Sequence, residues 1–327
     1  MRIAVIGAGV SGIAAAHCLG KTGHTVEVFE KSAEIGGVWT LGYPDVRLQN
    51  TRDHYRLIDV PWPVRPDRHP TSGQIRQYLN DATRDLGLSI RLQHEVTQLE
   101  ETSAGWRLHY RHDNEVGQED FDFVVPSIGQ YSDGKYAPAF PGQDTFAGDI
   151  ITEREVSNLS VFAGKNVLVA GFGKSALDMA TFAVETASTV HHVFRTPRWM
   201  IPFHIMGIHY SRLLFCRMGT VLMPSWVQPN AFETFIHRHM GFLVRGNWNI
   251  VKGIARLQSY LLGLGKSQAA KKRLAALIPD HDIVGDFRSA AAMAPQMYLK
   301  YVSREQLIPQ QGELQAFNRN GVVLKDG

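Results

Sequence analysis

A strand, a glycine turn, a helix, a second strand and an acid fill the first thirty residues. Residues 2–6, RIAVI, are a short apolar run that passes directly into Gly7-Ala8-Gly9-Val10-Ser11-Gly12. Residues 13–19 are Ala-rich and read as a helix; residues 25–29 are a second apolar run, ending at Glu30. No other feature restricts the fold so tightly. In a G-x-G-x-x-G between strand and helix, Gly7 permits the tight turn, Gly9 lets a pyrophosphate approach the backbone, and Gly12 lets the helix pack on the strand. The helix N-terminus favours an anion through its free N–H groups and its dipole. Glu30, 18 residues beyond Gly12, is placed to accept hydrogen bonds from ribose hydroxyls.

The pattern recurs. Residues 166–170 are a strand, Gly171-Phe172-Gly173-Lys174-Ser175-Ala176 is a G-x-G-x-x-A, residues 177–184 a helix, and residues 189–194 a strand followed by Arg195. Where the first copy ends in Glu30, the second ends in a guanidinium, which can pair bidentately with a 2′-phosphate. The second site therefore reads as NADP, with Arg198 as support. Two such folds give an α/β chain of two Rossmann-like domains. The simplest chemistry for two nucleotides in one chain is hydride transfer from NADPH to a flavin.

The expected domains are residues 1–150, completed by 295–327, and residues 151–294, with a helical basic insertion at 199–290. Between the two turns, Gly36-Gly37-Val38-Trp39 lets backbone pass close to a ligand beside an apolar wall. Four prolines within 61–70 mark an irregular loop, and Ser72 is placed to cap a helix over 72–86. Strands are expected at 89–92, 95–99, 106–110 and 121–125, the last leading to Ser127-Ile128-Gly129, and again at 297–302 and 321–324.

The net charge of +3 conceals an asymmetry: residues 199–278 hold ten Lys or Arg and one acid, Glu233, for +9, leaving −6 elsewhere. This segment, with Trp199, Trp226 and Trp248 and an amphipathic helix or helix pair at 254–278, reads as a lid over an apolar substrate, a membrane-surface contact, or a helical subdomain with its cations in water. Its histidines, His204, His209, His237 and His239, form no ligand set, and no metal is expected. Of the two cysteines, Cys18 is expected to be buried in the first helix; neither forms a C-x-x-C with Cys216, so a dithiol site is excluded and a reducing, cytoplasmic setting is expected. No uncharged apolar run reaches the ~20 residues of a spanning helix, and no nucleic-acid partner is expected.

These motifs in combination resemble the flavin-containing monooxygenases, which carry two dinucleotide-binding domains and are related to Baeyer–Villiger and N-hydroxylating monooxygenases. The likeness rests on Gly7-x-Gly9-x-x-Gly12 with Glu30, Gly36-Gly37-x-Trp39, Asn50 with the Asp59/Pro61/Pro63 segment, and Gly171-x-Gly173-x-Ser175-Ala176. It implies FAD in the first fold and NADPH in the second, with oxygen from O₂ passing through a flavin C4a-hydroperoxide to the nitrogen or sulfur of a small substrate. Motifs and resemblance together place FAD at Gly7, Gly9, Val10, Ser11, Gly12, Glu30, Lys31, Gly37, Val38, Trp39, Asn50, Val96 and Gly129. They place NADP at Gly171, Gly173, Lys174, Ser175, Ala176 and Arg195. Asn50 carries the catalytic role, a neutral amide beside the flavin.

Three departures bear on this reading. The family's Phe-x-Gly-x-x-x-His linker is Phe146-x-Gly148-x-x-x-Thr152, its Ala-Thr-Gly is Ser127-Ile128-Gly129, and the strand closing its FAD fold is expected beyond Gly327. The competing functions are a Baeyer–Villiger oxygenase, which residues 194–199 (FRTPRW) also suit, and a truncated, non-catalytic nucleotide-binding protein.

Overall fold

The structure is a computed structural model that describes residues 1–130, 137–201, 203–205, 207–223, 228–289, 295 and 297–325. Trp226 lies outside these. The chain divides into two compact units, Met1–Tyr136 and Ala137–Gly327.

The first unit opens with β1 (Arg2–Ile6), α1 (Val10–Lys21) and β2 (Thr25–Phe29). Ile3, Ala4 and Val5 are buried in β1, as a strand covered on both faces requires. Helix α1 turns Gly12, Ile13 and Ala16 inward. Cys18 falls on its outer side and is exposed, against expectation: at 100° per residue it lies roughly opposite Ile13. After α2 (Arg52–Tyr55) comes α3 (Ser72–Asp85), which buries Ile75, Tyr78, Leu79 and Ala82. Its cap is Thr71, one residue earlier than expected, in a reciprocal capping box with Gln74. Burying each of Ile75 and Leu79 contributes about 1.5–3 kcal/mol.

Strand β3 (Ser89–Arg91) precedes an antiparallel meander, β4 (His94–Thr102), β5 (Gly105–His112) and β6 (Glu115–Phe121), and then β7 (Phe123–Pro126) returns to the main sheet. The main sheet is parallel, in the order β3-β2-β1-β7. Strand β6 escaped the sequence reading because its residues are mostly polar and only Phe121 is fully buried.

The second unit contains β8 (Asn166–Ala170), α4 (Lys174–Ala183) and β9 (Thr189–Phe194). The insertion holds a short hairpin, β10 (His204–Ile205) and β11 (Ile208–His209), then α5 (Tyr210–Leu214), α6 (Arg217–Leu222), α7 (Ala231–His239), α8 (Gly241–Gly263), α9 (Gln268–Ala276) and α10 (Ile283–Ser289). Of the expected helix or helix pair over 254–278 the structure has the pair, broken at Gly265 (φ +70°) and restarted by the Ser267 cap. Among the described residues no helix is long and apolar enough to cross a membrane.

Residues 295–327, expected beside the first fold, lie in the second unit. Residues 298–303 form helix α11 (Tyr298–Ser303), not a strand, because Tyr298 and Val302 share one buried helical face. Strand β12 (Ile308–Gln311) pairs in parallel with β9, from Ile308 opposite His191 to Gln311 opposite Phe194, giving a sheet β12-β9-β8. The hairpin β13 (Leu314–Asn318) and β14 (Gly321–Leu324) packs on the linker, where Phe146 meets Phe317 edge to face and Phe317 N–H donates to the Pro141 carbonyl.

Candidate dinucleotide sites

In the first unit three segments converge on the glycine turn. Gly7 (φ +104°) donates its N–H to the Phe29 carbonyl at 2.7 Å, and a Cβ there would stand 2.5 Å from the Ser127 carbonyl oxygen. The segment carrying Ser127 and the exposed Gly129 therefore runs alongside the turn. On the other side Gly36 N–H donates to the Ala8 carbonyl at 3.1 Å, and a Cβ on Gly37 would stand 3.0 Å from Gly9 Cα. Gly9 and Gly37 thus face each other backbone to backbone, with no side chain between them.

Helix α1 starts at Val10 with Gly9 as its cap residue, and no side chain bonds its first N–H groups. Helices α3, α7 and α9 have Thr71, Asn230 and Ser267 in that role. The N-terminus of α1 is left for an anion. Ser11 is exposed, while Val10 packs inward toward the Ile13 and Tyr78 cluster. The Glu30 carboxylate is 6% exposed and accepts from Ala8 N–H at 2.7 Å and Ser32 N–H at 2.8 Å. One lone pair on each oxygen remains for a hydroxyl donor. Lys31 and Val38 are exposed. Val96 packs with Phe29, Leu108 and Phe121 under the sheet, two residues from His94, whose N–H binds the Glu30 carbonyl.

The loop bearing Asn50 is fixed from beneath. His69 Nδ1–H donates to the Leu48 and Asn50 carbonyls, both at 3.1 Å. Burial lowers the His69 pKa, against the opposing pull of those carbonyls. Arg52 N–H donates to the Arg68 carbonyl, and Trp62, stacked on Tyr78 at 4.0 Å, donates to the Arg52 carbonyl. Trp39 Nε1–H donates to Tyr55 Oη at 2.5 Å, so the Gly37 turn and the Asn50 loop are connected. The backbone is held while the Asn50 side chain is exposed.

The second turn has the same backbone device. Gly171 (φ +113°) donates to the Val193 carbonyl at 2.9 Å, and α4 begins after Gly173 with no side-chain cap. A Cβ on Gly173 would meet nothing within 4 Å. Ser175 and Ala176 lie in the first turn of α4; Lys174, its first residue, pairs with the buried Asp178 one turn on.

Register corrects the sequence pairing of Glu30 with Arg195. Ile6 lies opposite Phe29 and Ala170 opposite Val193, so Phe29 corresponds to Val193, Glu30 to Phe194 and Lys31 to Arg195. Phe194 is buried and meets Phe172 edge to face at 4.6 Å. Arg195, with its side chain 78% exposed, has Glu313 3.9 Å away. Arg198 is engaged elsewhere: it donates at 2.8 Å to Asp286, whose carboxylate is 1% exposed and also accepts from Trp199 N–H and His281. Burial pushes the Asp286 carboxyl up, but these three donors outweigh it and hold it below its ordinary value.

The sequence reading missed His192. It is fully buried beneath the second turn, bonded to the Gly171 carbonyl at 2.5 Å and to Tyr298 Oη at 2.6 Å. Its one signal was a polar residue in mid-strand where the first copy has Val28. Thr152, at the place of the family's linker histidine, caps a short turn with Glu155.

The chain is 32% identical over 242 residues to a putative flavin-containing monooxygenase 2 of Arabidopsis thaliana, covering 62% of this chain and 52% of that one. It is 26% identical over 270 residues to flavin-containing monooxygenase 5 of Cavia porcellus, covering 73% and 50%. The chain thus spans about half the length of these relatives. In fold it is similar to OTEMO, solved in complex with FAD and NADP (TM-score 0.71, 19% identity, 100% of this chain and 69% of that one). It is likewise similar to an oxidized steroid monooxygenase bound to NADP (TM-score 0.68, 20% identity, 100% and 69%). The flavin-binding monooxygenase-like family model matches residues 1–242, and the chain belongs to that family.

Proposed function

We propose that this chain acts as an FAD- and NADPH-dependent monooxygenase, placing one oxygen atom of O₂ on the nitrogen or sulfur of a small organic substrate. The observation that carries the reading is the pair of uncapped glycine turns, one ending at a buried carboxylate and the other at an exposed guanidinium. The first turn fits FAD: the side-chain-free face between Gly9 and Gly37 admits a pyrophosphate, α1 offers its N–H groups, and Glu30 offers lone pairs to ribose. The second fits NADP(H): Gly173 is open, α4 offers its N–H groups, and the exposed Arg195 offers a guanidinium for a 2′-phosphate. When bound, the two groups supply a hydride and the electrons that activate O₂.

The chain's own residues orient those groups and govern protons. Asn50 presents a neutral amide, able to donate and accept without changing charge, on a loop whose backbone is pinned by His69. Losing such a donor at a developing oxyanion costs roughly 3–4 kcal/mol at the step it serves. Asn50→Ala is expected to keep anaerobic flavin reduction by NADPH near the wild-type rate and, in air, to release hydrogen peroxide with little oxygenated product. Normal product yield in this variant would remove Asn50 from the mechanism.

The outward face of α8 supports a peripheral contact with an anionic membrane surface, placing a cytoplasmic protein against the bilayer. Phe242, Leu243, Ile250, Leu257, Tyr260 and Leu261 are all exposed there, as is Leu264 at its C-terminal cap. The charged residues exposed on this helix, Arg245 and Arg256, are both basic. Exposed apolar side chains can insert among lipids while each cation near an anionic surface contributes about 1 kcal/mol.

The deciding experiment reconstitutes the 327-residue chain with FAD and follows NADPH oxidation and peroxide release in air, with an amine, a sulfide or a ketone added. Acceleration by amine or sulfide with peroxide suppressed is the expected result. Acceleration by a ketone alone would make the activity Baeyer–Villiger oxygenation. Failure to take up FAD would leave a non-catalytic nucleotide-binding protein.

A further inference from the structure

His192 and Tyr298 form a buried polar pair under one glycine turn and not the other. The carbonyl of Gly171 can only accept, so His192 carries its proton on Nε2, and Nδ1 accepts from the Tyr298 hydroxyl. Both residues are fully buried. The imidazole is walled by aromatic rings: Phe172 stacks on it at 5.5 Å, and Phe194 and Tyr298 close it at 5.3 and 5.6 Å. Burying such a pair is worth its cost only if both partners are satisfied, and here they are.

The two turns differ in what stops the first glycine's carbonyl from swinging. In the first, the Gly7 oxygen lies where a Cβ on Gly12 would be, only 1.8 Å from that point, so it is tucked against α1. In the second, Ala176 has that Cβ, and the place is taken. The Gly171 carbonyl turns instead to His192. At the position of His192 the first unit has Val28, which has nothing to donate.

We propose that the His192–Tyr298 pair is a positioning device for the second turn: it fixes the Gly171–Phe172 peptide so that the N–H groups of the turn and of the first turn of α4 converge on the dinucleotide pyrophosphate. This rests on the reading that the second fold takes NADP(H). Tyr298 comes from α11, more than a hundred residues along the chain from the turn it supports, so the C-terminal segment contributes to the site without touching the nucleotide.

The test measures NADP⁺ affinity by calorimetry on the 327-residue chain, with FAD content as the control. His192→Leu is expected to weaken NADP⁺ binding by about tenfold, the scale of one lost hydrogen bond, and to leave FAD content unchanged. His192→Gln, which can keep a donor toward Gly171, is expected to recover most of the loss, a rescue that simple core packing does not predict. Tyr298→Phe is expected to weaken binding by about threefold. Nitrogen-15 spectra should show a neutral Nε2–H imidazole that disappears in His192→Gln and shifts on addition of NADP⁺. Wild-type binding with an unchanged affinity in Tyr298→Phe and His192→Leu overturns the proposal alone. If the leucine variant does not fold, an unchanged affinity in Tyr298→Phe overturns it by itself. A wild-type chain that takes up no NADP⁺ overturns the reading of the second fold and the proposal with it.

Discussion

Set side by side in register, the two glycine turns solve one problem with different materials. Each must present uncapped N–H groups at a helix start and hold its own backbone still. The first does so by close packing: Gly12 has no side chain, the Gly7 carbonyl fills the space, and Glu30 binds the turn through Ala8 N–H. The second substitutes Ala176, Phe194 and His192, holding its carbonyl with an imidazole and its strand end with an aromatic pair. A turn held by the absence of a methyl group cannot tolerate one. A turn held by a hydrogen bond can be loosened by titration or by removing the donor.

The largest expected effect follows from the first half of that contrast. In Gly12→Ala the new Cβ would lie 1.8 Å from the Gly7 oxygen and 3.0 Å from its carbonyl carbon, both backbone. Neither can rotate away without opening β1 from α1. Overpacking of this kind costs typically 1–3 kcal/mol, and with backbone as the obstacle the cost is expected at about 3 kcal/mol or more, with FAD uptake lost. Urea denaturation and the flavin absorbance of the reconstituted chain read both. Unimpaired FAD binding would show that the first turn has slack and that the contrast is false.

Acid should act on the second turn. Burial lowers the pKa of His192 to about 4, against the raising effect of the Gly171 carbonyl; the ordinary value is 6.5. The native state therefore binds the proton less readily than the unfolded chain. The stability contributed by neutral His192 is fully present above 6.5 and is lost progressively as the pH falls to about 4. At 1.36 kcal/mol per unit the loss is on the order of 3 kcal/mol. His192→Gln does not titrate, so the stability gap between it and the wild type, measured by denaturation at each pH, should move against the wild type over that window. A constant gap would mean that His192 titrates alike folded and unfolded.

What the sequence made legible was local. Period-2 and period-3.6 patterns, broken by glycines that must turn, located β1, α1, β2, β8, α4 and β9 and gave the two-site architecture. What it hid depends on register and on distant chain. Matching the strand ends put Arg195 opposite Glu30, but β9 runs one residue further than β2, and strand pairing, like an equal count from the two turns, makes Lys31 its counterpart. Residues 308–311 carry no mark of which sheet they join. The partner of His192 lies more than a hundred residues away. Cys18 was misread because an Ala-rich helix gives weak contrast between its faces.

The charge contrast between the two strand ends gives a smaller effect. Arg195 is largely exposed, so its pairing with a 2′-phosphate falls toward the weak end of the roughly 1.5–3 kcal/mol typical of charged hydrogen bonds, or about tenfold. Arg195→Ala should raise the KM for NADPH by that factor and leave the KM for NADH nearly unchanged. Equal losses would show that the guanidinium does not read the phosphate. Glu313, 3.9 Å away, opposes the same phosphate, so Glu313→Gln should shift the preference slightly further toward NADPH.

The smallest effect is the most specific. Ala176→Gly gives the second turn the residue the first has at that place. Glycine costs up to about 1 kcal/mol relative to alanine within a helix, and less in the first turn, where the chain is only partly constrained. With His192 present the Gly171 carbonyl already has its partner, so NADP⁺ affinity should barely change. In the His192→Leu background the same substitution should act differently, because the emptied space beside α4 can now receive the orphaned carbonyl as α1 receives that of Gly7. Ala176→Gly is then expected to recover part of the lost affinity. The coupling energy of this double-mutant cycle, read from NADP⁺ calorimetry, should be favourable and about 1 kcal/mol. A coupling of zero would mean that the third position of the turn and the imidazole do not compete for one carbonyl, and that the two cradles are held by unrelated means.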